Sequence, residues 1–111
     1  MKFSKELMKG AAELLVLKAL KDSKEAYGYE LIRSISVGSH NVFEFQEGTL
    51  YPLLYRLEAK GYVASHKKVA QTGKERRYYA LTKSGQRVLK DGANEMSLFL
   101  SGIKSALNLS V

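Results

Sequence analysis

The fold class predicted by this sequence is mainly α-helical with one small β-hairpin, and three observations predict it. Apolar residues recur at helical spacing in four separate stretches. Two short segments of strand character flank a polar turn. The single proline, Pro52, sits where it marks the start of a helix rather than its middle. At 111 residues the chain has the size of one compact domain, too short for a catalytic and a regulatory domain together.

The first helix is expected over about Ser4 to Leu20. Leu7, Ala11, Leu14, Leu15 and Leu17 form one arc, Met8, Ala12, Val16 and Leu20 widen it, and Gly10 is its weak point. A helix apolar on so wide an arc touches more than its own domain's core. After a polar connection at Ser23 to Ala26, the residues Tyr27, Leu31, Ile32 and Ile35 predict a second, shorter helix. Val37 to Phe45 reads as a connection with a brief extended piece around Val42 and Phe43. The third helix must begin near Glu47 to Thr49, with Thr49 as its N-cap, because a proline in the first turn gives up only an unpaired N–H. Its apolar stripe is Leu50, Leu53, Leu54 and Leu57, and Gly61 is its stop. Strands are expected at Tyr62 to His66 and Arg77 to Leu81, around a turn containing Gln71, Thr72 and Gly73. A last helix then starts at Thr82 to Ser84 and runs toward Leu107.

Helix, helix, turn, helix and two-stranded ribbon is the order of a winged helix-turn-helix, here followed by a C-terminal dimerisation helix. The expected division is residues 1–84 as the DNA-binding unit and 85–111 as the dimerisation helix and tail. In a winged helix the third helix enters the major groove and the hairpin lies along the phosphates. Charge supports that placement. The chain carries a net +7, and Lys67, Lys68, Lys74, Arg76 and Arg77 against Glu75 put +4 of it at the hairpin, while residues 1–66 are nearly neutral. An exposed turn rich in cations is also an ordinary solvated surface, so its position after the helix-turn-helix is what gives it weight. Cations at phosphates supply salt-dependent affinity and little discrimination. The candidate readers therefore lie on the third helix: Gln46, Thr49, Tyr51, Pro52, Tyr55 and Arg56, since Arg forks onto guanine, Gln onto adenine, and hydroxyls reach phosphates or base edges. Tyr51 and Tyr55 equally suit a core or rim role. Arg56 equally suits a solvated or ion-paired surface role.

In the last helix Leu89, Ala93, Met96, Leu100, Ile103 and Leu107 are spaced as an interhelical seam. Gly92 and Gly102 weaken it by roughly 1 kcal/mol each relative to Ala, so something must cover it. Two covers are open, the chain's own first helix or a second copy of the chain; the second is expected, because a small winged domain has little spare surface for two extra stripes.

Other function classes find little footing. With 0 cysteines, thiol catalysis, disulfides and cysteine metal sites are excluded. His40 and His66 have no partners at metal-ligand spacing, Gly28, Gly48 and Gly85 form no phosphate loop, and no nucleophile elbow occurs, so no enzyme and no cofactor is expected. No uncharged apolar run approaches the roughly 20 residues that span a bilayer, and Glu6, Glu13 and Lys18 interrupt the N-terminal apolar stretch, so neither a membrane partner nor a signal peptide is expected and the location is cytoplasmic.

The run Phe45-Gln46-Glu47-Gly48-Thr49-Leu50-Tyr51-Pro52-Leu53-Leu54-Tyr55-Arg56-Leu57-Glu58, followed by Lys60-Gly61-Tyr62-Val63, resembles the recognition helix of the PadR-like family of bacterial transcriptional regulators. Gly10 with Glu13-Leu14-Leu15-Val16-Leu17, the stretch Tyr27-Gly28-Tyr29-Glu30-Leu31-Ile32, and Arg76-Arg77-Tyr78-Tyr79-Ala80-Leu81-Thr82 agree in order. The resemblance implies a homodimeric repressor on a palindromic DNA operator, of the short-chain branch, with a small hydrophobic effector as a further partner. It places Thr49, Tyr51 and Pro52 on the recognition motif, Lys74, Arg76 and Arg77 on the wing, and Tyr27 and Tyr29 on a motif that serves packing or backbone contact. Two departures stand out. Glu47 replaces a frequent proline, suiting the helix dipole but repelling phosphate, and the chain has no tryptophan, leaving Phe99 as the aromatic of the last helix. A winged-helix protein-docking module and a small-molecule sensor with secondary DNA binding are the rival readings, since fold does not decide function.

Overall fold

The computed structural model describes residues 3–110. Its elements are α1 (Lys5–Met8), α2 (Ala11–Ser23), α3 (Gly28–Gly38), α4 (Glu47–Ala59), β1 (Val63–Val69), β2 (Glu75–Leu81) and α5 (Lys83–Ala106). The order is that of a winged helix-turn-helix with an added C-terminal helix. None of the described helices is long and apolar enough to cross a membrane.

The expected first helix is two helices. Gly10 adopts φ +88°, outside the right-handed helical region, and Lys9 before it is extended. Glycine reaches that conformation without a Cβ clash. The bend lets Met8 pack against the core while Leu7 stays exposed. The core itself is made by Val16, Leu17 and Leu20 of α2, Leu31 and Ile35 of α3, and Leu50, Leu53, Leu54 and Leu57 of α4, closed by Val63, Tyr79 and Leu89. All four leucines of the α4 stripe are buried, which turns the opposite side of that helix outward.

The N-cap of α4 is Gln46, not Thr49. The helix begins at Glu47, within the expected range, but Pro52 lies past its first turn, withholding a hydrogen bond from the Gly48 carbonyl. Gly48 is on the exposed side, where that carbonyl is open to solvent. The other end follows expectation. Gly61 has φ +81°, its N–H bonds the Glu58 carbonyl at 3.0 Å, and the Tyr62 N–H bonds that of Leu57 at 2.9 Å. Together these make a Schellman stop.

No strand forms at Val42 and Phe43. The hairpin is longer than its β propensity suggests, because the antiparallel ladder runs on through Lys67↔Arg77, Lys68↔Arg76 and Val69↔Glu75. Backbone pairing is indifferent to those side chains, which stay in water. The tip closes with Ala70 N–H to the Lys74 carbonyl at 2.8 Å and Gly73 N–H to the Ala70 carbonyl at 2.9 Å. On its other edge β2 exchanges two backbone bonds with Ala26, at 3.0 and 2.8 Å, so the α2–α3 connection acts as a one-residue third strand.

Helix α5 starts at a tight junction. Thr82 Oγ1 accepts from the Gly85 N–H at 3.0 Å and donates to the Gly61 carbonyl at 2.7 Å, while the Thr82 N–H bonds the Tyr62 carbonyl at 3.1 Å. A Cβ on Gly85 would overlap that same Tyr62 oxygen. Farther along, Gly92 passes against Leu14 of α2, where a Cβ would press on the leucine's methyl group. Leu89, expected in an intermolecular seam, is instead buried in the chain's own core, because α2 covers the first turns of α5.

Gly85→Ala is expected to lower unfolding free energy by about 3 kcal/mol, since the obstacle is backbone. Gly102, with open space around it, gives the opposite sign, and Gly102→Ala stabilises by about 0.5–1 kcal/mol. Urea denaturation of the two variants beside the parent chain checks both.

Candidate nucleic-acid interface

The outward side of α4 carries Gln46, Thr49, Pro52, Tyr55 and Arg56, all exposed. Because one turn takes about 3.6 residues, these positions do not form a single row. Gly48, Pro52 and Tyr55 run down the middle, Thr49 and Arg56 lie on one flank, and Glu47, Tyr51 and Glu58 lie on the flank beside the wing. Arg56 has no ion-pair partner among the described residues.

Tyr51 is half-buried, and its phenol rests on Gly28, where any Cβ would collide with the ring and hydroxyl. That contact seats the first turn of α3 against α4. Partial burial, and secondly the nearby Glu47 carboxylate, raise the Tyr51 pKa above its ordinary value, so its hydroxyl is a proton donor throughout the physiological range. Its ring centroid lies 6.4 Å from that of Tyr55, so the two form an aromatic pair with Tyr55 as the exposed member.

Between α4 and the wing lies a groove of about 360 Å³ lined by Tyr27, Tyr29, Glu47, Tyr51, Thr72, Arg76 and Arg77. It unites Tyr51 with two wing arginines, and it also includes Tyr29 and Glu47, which composition alone did not single out as contacts. The Tyr27-Gly28-Tyr29 motif held the signal: a glycine between two tyrosines at a helix start makes room for a third ring, that of Tyr51.

The five wing cations are not equivalent. Lys68 forms an ion pair with Glu25 of the α2–α3 connection, and its ammonium lies 4.3 Å from the centre of the Tyr78 ring. His66 Nε2 is 3.5 Å from the same carboxylate, with its ring stacked on Tyr78. Lys68 therefore carries a counterion within the fold, unlike the other wing cations, none of which has one among the described residues. Arg76 lies over the Tyr27 ring at 5.5 Å. Arg77 donates to Ser65 Oγ at 3.0 Å, and Ser65 in turn donates to Glu58 of α4 at 2.7 Å, which ties the wing to the helix. Lys67 and Lys74 make no ion pair among the described residues. Four cations thus remain presented along the hairpin, with two of them, Arg76 and Arg77, held in the groove wall.

On α5, Met96 and Ile103 are half-buried, whereas Ala93, Leu100 (51% exposed) and Leu107 (63% exposed) open to solvent. Phe99 and Leu98 are more exposed than Leu100.

An exposed helix that is buried along one stripe, flanked by a cationic β-hairpin and braced by a second helix, defines the winged-helix class of nucleic-acid-binding domain. Comparison with known proteins narrows this. Residues 16–91 match the sequence profile of the Transcriptional regulator PadR-like family. The chain is 34% identical over 87 residues to a transcriptional regulator of Mycobacterium tuberculosis, covering 78% of this chain and 77% of that one. Among solved structures it resembles a PadR family transcriptional regulator of Eggerthella lenta (35% identity, 92% of this chain and 82% of that one, TM-score 0.74) and a transcriptional regulator of Clostridium thermocellum (29% identity, 96% and 99%, TM-score 0.77). The protein belongs to the PadR-like family of transcriptional regulators.

The Glu25 clamp is directly measurable. Its hydrogen bond to Lys68 lowers the Glu25 pKa below the ordinary 4.5, and the same bond raises that of Lys68 above 10.5. A carboxylate with a depressed folded-state pKa contributes stability above its unfolded pKa and loses it as pH falls through the depressed value. The pair is therefore intact at neutral pH and opens only in acid below pH 4.5. In Glu25→Gln the Lys68 side chain should titrate at a lower pH than in the parent, as followed by NMR of the lysine Cε; an unchanged titration contradicts the clamp.

Proposed function

We propose that this regulator acts in the cytoplasm as a homodimeric repressor that binds a palindromic double-stranded DNA operator. Helix α4 enters the major groove, and Lys67, Lys74, Arg76 and Arg77 of the wing lie along the backbone. The observation that carries this reading is the groove wall shared by α4 and the wing, in which Tyr51, Arg76 and Arg77 meet beside an exposed recognition helix. Gln46, Thr49, Tyr55 and Arg56 are the base-edge or adjacent phosphate contacts, while Tyr51 and Pro52 set the shape of the helix start. Lys68 contributes least, because Glu25 is its counterion.

Dimerisation falls to the exposed part of α5. With Leu89 committed to the core, the seam runs through Ala93, Met96, Leu100, Ile103 and Leu107, and a second copy is the cover that this stripe calls for. Residues 1–84 then serve as the DNA-binding unit and 85–111 as the dimerisation unit. The division is one of role, since α5 is continuous from Lys83 and buries Gly85 and Leu89 in the body. A small hydrophobic effector would bind between the paired α5 helices, where Phe99 is the aromatic at hand. The absence of tryptophan argues against stacking a flat ligand between indoles.

Replacing Lys74, Arg76 and Arg77 together by Ala should weaken binding to every duplex and reduce the slope of log affinity against log salt by about 2–3, as expected for three lost phosphate contacts. Lys68→Ala should change that slope by much less. Equal slopes for the triple variant and the parent, in fluorescence anisotropy across a salt series, contradict the wing's role.

Leu100→Glu with Ile103→Glu should give monomers by analytical ultracentrifugation and abolish operator binding while leaving the winged domain folded. An intact dimer in that variant contradicts the seam.

A further inference from the structure

Glu47 is the one carboxylate among the residues lining the groove between α4 and the wing. It occupies the first position of α4 and is exposed, and among the described residues it has neither an ion-pair partner nor a side-chain hydrogen bond. Two arginines line the same groove, yet neither comes within ion-pair distance of it. The carboxylate sits at the positive end of the helix and is free to accept hydrogen bonds from something outside the chain.

On a surface that meets phosphates, such a group is unfavourable unless the approaching ligand offers it donors. The recognition helix of a winged helix puts its N-terminal residues at base edges, and an ionised carboxylate only accepts hydrogen bonds. In the major groove guanine presents N7 and O6 and thymine presents O4, all acceptors, so both repel it. Cytosine and adenine present exocyclic amines. Adenine's N6 is flanked by acceptors on both sides, its own N7 and the O4 of its paired thymine, which opposes a carboxylate; cytosine's own edge carries no acceptor, leaving only the O6 of its paired guanine beside N4. We propose that Glu47 determines operator specificity by accepting a hydrogen bond from the N4 amine of one cytosine in each half-site. This deepens the DNA-binding reading above and rests on it.

The test is selection of bound duplexes from a random pool by the parent chain, Glu47→Ala and Glu47→Gln, at one salt concentration. Affinities are then measured on the selected site and on its three single-base replacements at the assigned position. Circular dichroism confirms that the variants are folded. The parent should require C·G at one position per half-site and lose about ten- to a hundredfold in affinity for each replacement. Glu47→Ala should accept all four pairs there within about threefold, and Glu47→Gln, whose amide can pair with adenine N6 and N7, should shift toward A·T. Identical preferences in the parent and Glu47→Ala overturn the proposal while leaving the DNA-binding reading standing. So does a uniform tightening on every sequence in Glu47→Ala, which would place the carboxylate against a phosphate. A parent that selects no sequence overturns the underlying reading itself.

Discussion

The constraint on which the rest of the structure depends is the junction where four elements meet within a few residues. Gly61 and Tyr62 end α4 and open the hairpin; Thr82 and Gly85 close the hairpin and open α5. Three hydrogen bonds centred on Thr82, to the Gly61 carbonyl, the Tyr62 carbonyl and the Gly85 N–H, link them. Each also satisfies a polar group that a helix end or strand end would otherwise leave unpaired. The recognition helix, the wing and the C-terminal helix thus share one rigid origin. Removing the space at Gly85 would not merely loosen α5; it would tilt the wing relative to α4 and so deform the groove that Tyr51 and the two arginines line.

A second constraint is electrostatic. A hairpin with net +4 repels itself, and the fold relieves part of that repulsion selectively. Glu25 pairs with Lys68, and Tyr27 lies under Arg76, which stands opposite Lys68 on the outer part of the ladder. Glu58 reaches Arg77 through Ser65. Lys67 and Lys74 have no counterion among the described residues. Compensation follows contact with the α2–α3 connection and α4 rather than distance from the tip, since Lys67 pairs with Arg77 one rung nearer the body than Lys68 with Arg76. Exposed ion pairs of this kind add little to global stability; their effect is to set where the wing points.

Much of this was legible in the chain because it is governed by local rules. The leucine stripe at 50, 53, 54 and 57, the glycine stop at Gly61 and the Thr82 cap each follow from spacing and from what an uncapped helix end requires, and each stands in the structure. The order of elements, with a hairpin charged at its tip, was enough to place α4 and the wing side by side. What escaped depends on contacts through space. The bend at Gly10 exists because Met8 must reach the core. The cap at Gln46 rather than Thr49 is possible because Gly48, whose carbonyl Pro52 leaves without its helical partner, is on the exposed side. The assignment of Leu89 to the core follows from how far α2 extends along α5. The pairing of Lys68 needed Glu25, 43 residues away, and no periodicity announces such a pair. Glu47 was visible as an oddity, but its isolation in a groove with arginines was not.

The continuity of α5 carries a mechanical consequence. A 24-residue α-helix is roughly 36 Å long, and this one is fixed at its start by the junction and along its first turns by Leu89 and the close pass of Gly92 against Leu14. Its exposed stripe is therefore held at a set angle to α4, with no flexible linker between them. On the proposed reading, pairing two copies through that stripe fixes the distance between their recognition helices, and half-sites one helical turn apart demand a separation near 34–36 Å. A ligand that spread or twisted the paired helices by even a small angle would shift the far ends of both bodies by more, since the lever is longer than the contact. Release of the operator would then need no change within either winged domain, and its free energy would come from the ligand's preference for one spacing of α5 over the other.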